Sequence, residues 1–270
     1  MTTDIVSKTI SPWWGEYKIP LNNLKCITIG TLSVYLQRYE NEWQIVHRLI
    51  NKDDAQAVAN HELSDTDILP LGAEIERTAF ARTTETVKLV PTLPPRPIVS
   101  SPVSPFKVPP KQFITVFISL PIWIRIDVGN PPITLLETWT QKLSDTWFGS
   151  TIQEGELCYA NKTSCYLRLD DIKFKAYRAI TPVTIHNQST ETMRLEKINI
   201  TATNLSIFTN EKNQLWTSPI RVERLKGADD VNVKIENKFP AFAGNSVLLE
   251  KPRKSLQEGV MTRAITAIFS

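Results

Sequence analysis

The chain has 270 residues, 41% of them apolar and 22% charged, and a formal net charge of +3. That length supports one large domain or two small ones with a proper core. So mild a charge leaves no electrostatic footprint for nucleic acid or an anionic membrane surface.

In chain order, the polar first eight residues lack the apolar run of a secretory signal. The most apolar stretch, residues 113–124, contains Pro121 and stops at Arg125. A membrane-spanning helix needs about 18 apolar residues. The expectation is a soluble, cytoplasmic protein without direct membrane insertion.

Residues 12–17 place two adjacent indoles, Trp13 and Trp14, in an ordered start segment. Neighbouring side chains of a strand point to opposite faces, so one indole is expected to cover a sheet edge. Leu32, Val34 and Leu36 alternate with polar residues, and Trp43, Ile45 and His47 resume the period of two; this predicts a hairpin. Residues 51–71 read as loop with at most a short helix. Strands are expected over 74–82 and 85–90.

Eight of the 18 prolines fall in residues 91–110. Proline fixes φ and cannot donate to a ladder, which argues against a central strand here. The stretch is either a linker or an ordered strap over a sheet; the interspersed Ile98, Val99, Val103, Phe106 and Val108 favour the strap. Residues 113–128 follow as a long, central, doubly covered strand bent at Pro121, whose two halves are free to pair with different neighbours. A strand over 133–139, a hairpin from 157–160 and 164–169, and five more strand segments between 179 and 236 complete an all-β pattern. At the end, Leu256, Val260, Met261, Ala264, Ile265 and Ile268 recur at helical spacing and predict an amphipathic helix over 255–268.

The expected fold is therefore all-β, an antiparallel β-sandwich-like architecture with a proline-rich strap and a C-terminal amphipathic helix. It is read as a single unit over 1–270, or two packed subdomains, 1–90 and 111–270, joined by residues 91–110.

Chemistry is harder to find. The three histidines, His47, His61 and His186, are far apart, and no metal-ligand spacing exists. The nine glycines form no phosphate-binding loop, and no nucleophile motif is present. No catalytic residue, metal or cofactor is assigned. Cys158 and Cys165 are symmetric about residues 161–162, so a hairpin turning there would set the two thiols opposite each other. In a reducing compartment free thiols are expected. The densest unusual sequence is 143–149 followed by 154–156. Asp145, Glu154 and Glu156 are candidate acid/base or ligand groups there, with Trp147 as a stacking platform. The alternative is a turn-rich loop with an aromatic plug. Trp139 and Trp216 are further ligand-binding candidates.

Several segments, taken together, carry a resemblance. They are residues 13–17 (WWGEY), 94–99 (PPRPIV), 119–123 (SLPIW), 145–149 (DTWFG), 154–159 (EGELCY), 178–182 (RAITP) and 215–217 (LWT). In this order they resemble the prokaryotic family catalogued as domain of unknown function 432, over nearly the whole chain. The resemblance implies no established activity, cofactor or catalytic residue. It does imply proximity to mechanosensitive-channel genes, and hence an unknown protein partner of which a membrane channel protein is one candidate. Three functions follow: a non-enzymatic module acting by protein–protein contact; a carbohydrate- or small-ligand-binding module using Trp139, Trp147 or Trp216; and a hydrolase built on Asp145 and Glu156. A concave pocket joining a Trp face to two carboxylates separates the last two from the first.

Overall fold

Alternating apolar and β-branched residues make strand the dominant regular structure of the described residues, with three short 3₁₀ turns beside it. A computed structural model describes residues 12–50, 61–66, 68–149, 155–225, 231–236 and 238–254. In chain order the first strands are β1 (Gly15–Lys18), β2 (Leu24–Ile29), β3 (Leu32–Arg38), β4 (Glu42–Leu49), β5 (His61–Asp65), β6 (Glu76–Ala79) and β7 (Thr86–Thr92). The middle holds β8 (Ile98–Pro102), β9 (Phe106–Val108), β10 (Phe113–Pro121), β11 (Trp123–Val128), β12 (Ile133–Trp139), β13 (Asp145–Phe148) and β14 (Glu156–Thr163). The last are β15 (Arg178–Asn187), β16 (Met193–Leu195), β17 (Ile198–Ile200), β18 (Ile207–Asn210), β19 (Leu215–Thr217), β20 (Ile220–Arg224), β21 (Val231–Ile235) and β22 (Ser246–Glu250).

These strands make several sheets. One runs β5-β2-β3-β4-β6 and contains the expected hairpin, with Val34 opposite His47. A second runs β1-β7-β11-β12, so chain from before and after the proline-rich stretch shares a sheet. A third runs β13-β14-β8-β17, and β9 pairs with β16. The largest has seven strands, ordered β21-β20-β15-β19-β18-β22, with β10 along the free edge of β15.

Pro121 divides residues 113–128 as expected. β10 pairs with β15, from Phe113 opposite His186 to Pro121 opposite Arg178. β11 instead lies between β7 and β12. The proline lacks the N–H that would continue the ladder, and the chain changes sheet there. Only β11 is central. Among the described residues, β10 has beyond β15 a single bridge, Phe117 to Tyr166.

Three expectations are corrected. The proline-rich stretch is neither free linker nor overlying strap, because β8 sits inside a sheet between β14 and β17. Ile98–Ser101 is a proline-free window whose N–H groups remain available, and proline occurs only at its flanks. Cys158 and Cys165 do not face each other. β14 runs straight through residues 161–162 and pairs in parallel with β8, so no hairpin turns there. Both thiols are free and buried, Cys158 beside Val99 and Phe148, Cys165 in the main core. Finally, 61–65 is a strand rather than loop, pairing with β2. As an edge strand with mostly polar residues it lacks an apolar period. The expected helix over 255–268 lies outside the described residues.

The main core takes residues from every sheet, among them Trp13, Trp43, Leu89, Ile98, Val116, Ile126, Val183 and Leu195. On β10 and β15 the alternation gives two buried faces. Val116, Ile118 and Val183 enter the main core, whereas Phe117 and Ile180 point the other way. There they join Phe208, Trp216, Ile172 and Ala243 in a second, smaller cluster. This outer face positions the cavity described next.

Candidate functional site

The hairpin of β18 and β19 turns over residues 211–214, and Asn210 organises that turn. Its Oδ1 accepts from the backbone N–H groups of Lys212 (3.1 Å) and Gln214 (3.0 Å). Its Nδ2 donates to Gln214 Oε1 at 2.8 Å and to the Ala243 carbonyl at 3.2 Å. An asparagine that bonds its own following backbone is a common turn device. Here it also ties the turn to the segment 241–245. Gly244, at φ 71° and ψ −148°, lets that segment reverse in a region essentially reserved for glycine. Asn245 Nδ2 then donates to Glu211 Oε1 at 3.0 Å.

These segments and residues 169–174 line an open cavity of about 450 Å³. Its apolar walls include Phe174, Trp216 and Phe242, and its rim carries Asp170, Asn210, Glu211, Lys212, Gln214 and Asn245. Trp216 is 1% exposed and packs against Phe174 with ring centroids 5.7 Å apart, so it forms the floor. Its buried indole N–H has no hydrogen-bond partner among the described residues. Phe242 is half-exposed and rests edge-on against Phe117 at 5.0 Å.

Of the described residues singled out from sequence, Trp216 alone lines this cavity. Trp139 packs edge-to-face on Trp123, 5.9 Å between centroids, and Trp123 lies 6.3 Å from Tyr159. Asp145 and Trp147 share one face of β13–β14 with Leu157 and Tyr159; Glu156 is on the other, where Asn199 Nδ2 donates to it at 2.8 Å. Asp145 instead meets Arg96 at 3.4 Å. The structure therefore does not bring Asp145 and Glu156 together. Glu154 lies outside the described residues. Among the described residues no group of three His, Cys, Asp or Glu side chains is placed to hold a metal ion. Asn210, Gln214 and Phe242 had no distinguishing signal in the sequence beyond the turn-forming character of 210–213.

A family model described as "Protein of unknown function (DUF432)" matches residues 13–269. The chain belongs to that family. No curated protein and no solved structure matches it.

In this DUF432 chain, two of the segments that carry the resemblance, 119–123 and 178–182, meet at one buried cation. Arg178 donates to Ser119 Oγ (2.7 Å), the Ser119 carbonyl (2.7 Å), Asn161 Oδ1 (2.8 Å) and Gln141 Oε1 (2.9 Å). Asn161 Nδ2 in turn donates to Ser100 Oγ at 2.9 Å. Nearby, the Arg96 guanidinium lies over the Tyr159 ring at 5.4 Å. Burial pushes the Arg178 pKa down, to about 10, yet it remains a cation at neutral pH. Four of its five N–H groups donate to neutral oxygens, which makes this network a tie between sheets rather than an open anion site.

Proposed function

We propose that this protein is a non-catalytic receptor for a small molecule held in the cavity above Trp216. The observation that carries the reading is one concavity joining aromatic walls to a rim of planar polar side chains on a hydrogen-bonded turn. Its volume lies in the range of about 300–1,000 Å³ usual for small-molecule clefts, and its lining is more polar than such sites usually are. Binding rather than turnover is proposed because the two carboxylates of the lining, Asp170 and Glu211, are engaged with Arg168 and Asn245.

The neutral dye N-phenyl-1-naphthylamine tests this reading by fluorescence. Enhancement with the wild type that is lost in Asn245→Trp, which fills the mouth, supports it. Equal enhancement in both, or none in either, overturns it.

A second reading, protein–protein contact, is favoured by Trp147 and Leu157. They are direct cross-strand partners, 46% and 44% exposed, on the edge pair β13–β14. Tryptophan is enriched at interface hot spots, and Arg96 and Tyr159 lie close by. The candidate partner is a membrane channel protein, with this chain docking from outside the bilayer; no described helix is long and apolar enough to cross a membrane. Affinity capture from solubilised membranes tests it: a partner retained by the wild type and by Asn245→Trp, but lost with Trp147→Ala, supports contact through this face.

A further inference from the structure

We infer that the cavity takes an uncharged saccharide of one or two rings, an assignment that rests on the ligand-binding reading above. Charge comes first. Asp170 is paired with Arg168 at 3.5 Å, and Glu211 and Lys212 offset each other, so the mouth offers no surplus cation to a phosphorylated or carboxylated ligand. A largely apolar molecule can lie against the aromatic walls but leaves the six polar rim residues unmatched, so one that also carries hydroxyls fits better.

Hydrogen-bonding capacity comes second. Asn210 is committed to the protein through both ends of its amide and serves as scaffold. Gln214 uses its Oε1 on Asn210, which leaves its Nε2 donors. Asn245 uses Nδ2 on Glu211, which leaves its Oδ1 acceptor. Side-by-side amide donors, amide acceptors and carboxylate oxygens suit vicinal hydroxyls, each of which donates and accepts at once.

The aromatic surface comes third. Trp216, expected from sequence to be the stacking platform, is too deeply buried to offer a face. Phe242 is 48% exposed, lines the cavity and is held edge-on by Phe117. An accessible ring beside polar side chains can cover the C–H face of a pyranose while its hydroxyls reach the rim.

Saturation-transfer NMR with glucose, N-acetylglucosamine, maltose and cellobiose tests the assignment, with glucose 6-phosphate as the anionic comparison. At least one neutral sugar should receive saturation from the wild type. Its affinity should fall about tenfold in Phe242→Ala and in Gln214→Ala, the loss of one stacking or hydrogen-bonding group, and vanish in Asn245→Trp. Glucose 6-phosphate should bind more weakly than glucose. Sugar binding that none of the three variants alters would place the sugar elsewhere and overturn the inference, as would tighter binding of the phosphate. If no sugar binds while the neutral dye binds the wild type and not Asn245→Trp, the saccharide assignment fails and the cavity reading stands. If neither binds, both fail.

Discussion

Arg178 and Asn161 meet at 2.8 Å, Nη2 to Oδ1, joining β15 of the largest sheet to β14 of another. No carboxylate pairs with Arg178 among the described residues. Its charge is spread over four contacts to neutral oxygens, two of them from Ser119. Arg178→Met should therefore leave several buried acceptors without donors and cost about 3 kcal/mol. Arg178→Lys should recover little, because an ammonium cannot reproduce the planar fork. Urea unfolding of both variants checks this; a lysine variant of wild-type stability would contradict it.

Val116 is fully buried in β10, opposite Val183. Val116→Asp places a carboxylate in the main core with no partner, a change expected to exceed about 4 kcal/mol and leave little folded protein. Far-ultraviolet circular dichroism and thermal unfolding would show it, and an unchanged thermal midpoint would refute the burial.

Gly30 and Tyr177 are separable by a double-mutant cycle. Gly30 sits at φ +61°, and a Cβ there would lie 2.8 Å from Tyr177 Cγ. Gly30→Ala should lose about 1–2 kcal/mol from backbone conformation alone, with the clash added. Combining it with Tyr177→Ala should relieve the clash and leave the backbone cost. Strictly additive effects of the two changes would show that the residues do not touch.

Burial raises both core thiols, Cys158 to about 11 and Cys165 to about 12, from an ordinary 9.0. Above pH 9 the unfolded chain releases protons that the folded chain keeps, so stability falls as pH rises from about 9 towards 12 and is unaffected below. The slope of unfolding free energy over that window should be shallower in Cys158→Ala/Cys165→Ala than in the wild type. In native protein, iodoacetamide should modify Cys26, which is partly exposed, well ahead of the two buried thiols.

How far the sequence reaches depends on whether a contact leaves a local mark. Ile124 and Ile126 against Trp123 and Arg125 leave one, and so do the β3–β4 hairpin and the break at Pro121. The parallel pairing of β8 with β14 joins residues about sixty positions apart with no turn between them, and the prolines flanking Ile98 suggested the opposite. The same blindness produced the false symmetry of Cys158 and Cys165, which assumed a turn where β14 continues. At the site, Trp216 was legible as a tryptophan but not as a floor. Phe242 and Gln214 were silent, because what unites them with Asn210 is a meeting of three loops.

β15 is the strand through which most of this sheet is threaded. β10 lies along one side, while β19 and then β20 occupy successive stretches of the other, both in parallel. Parallel partners require crossover chain and close late, because loop entropy is lost before the contact is gained. The sheet of β2, β3 and β4 is made of adjacent hairpins and can close on its own as the chain emerges from the ribosome. The completed β10–β15 pair must instead hold an edge of unpaired N–H and C=O groups open until residues 215–224 have been synthesised. For that interval the nascent chain exposes the very ladder most able to recruit a wrong strand, and the order of synthesis, more than the final stability, decides whether it does.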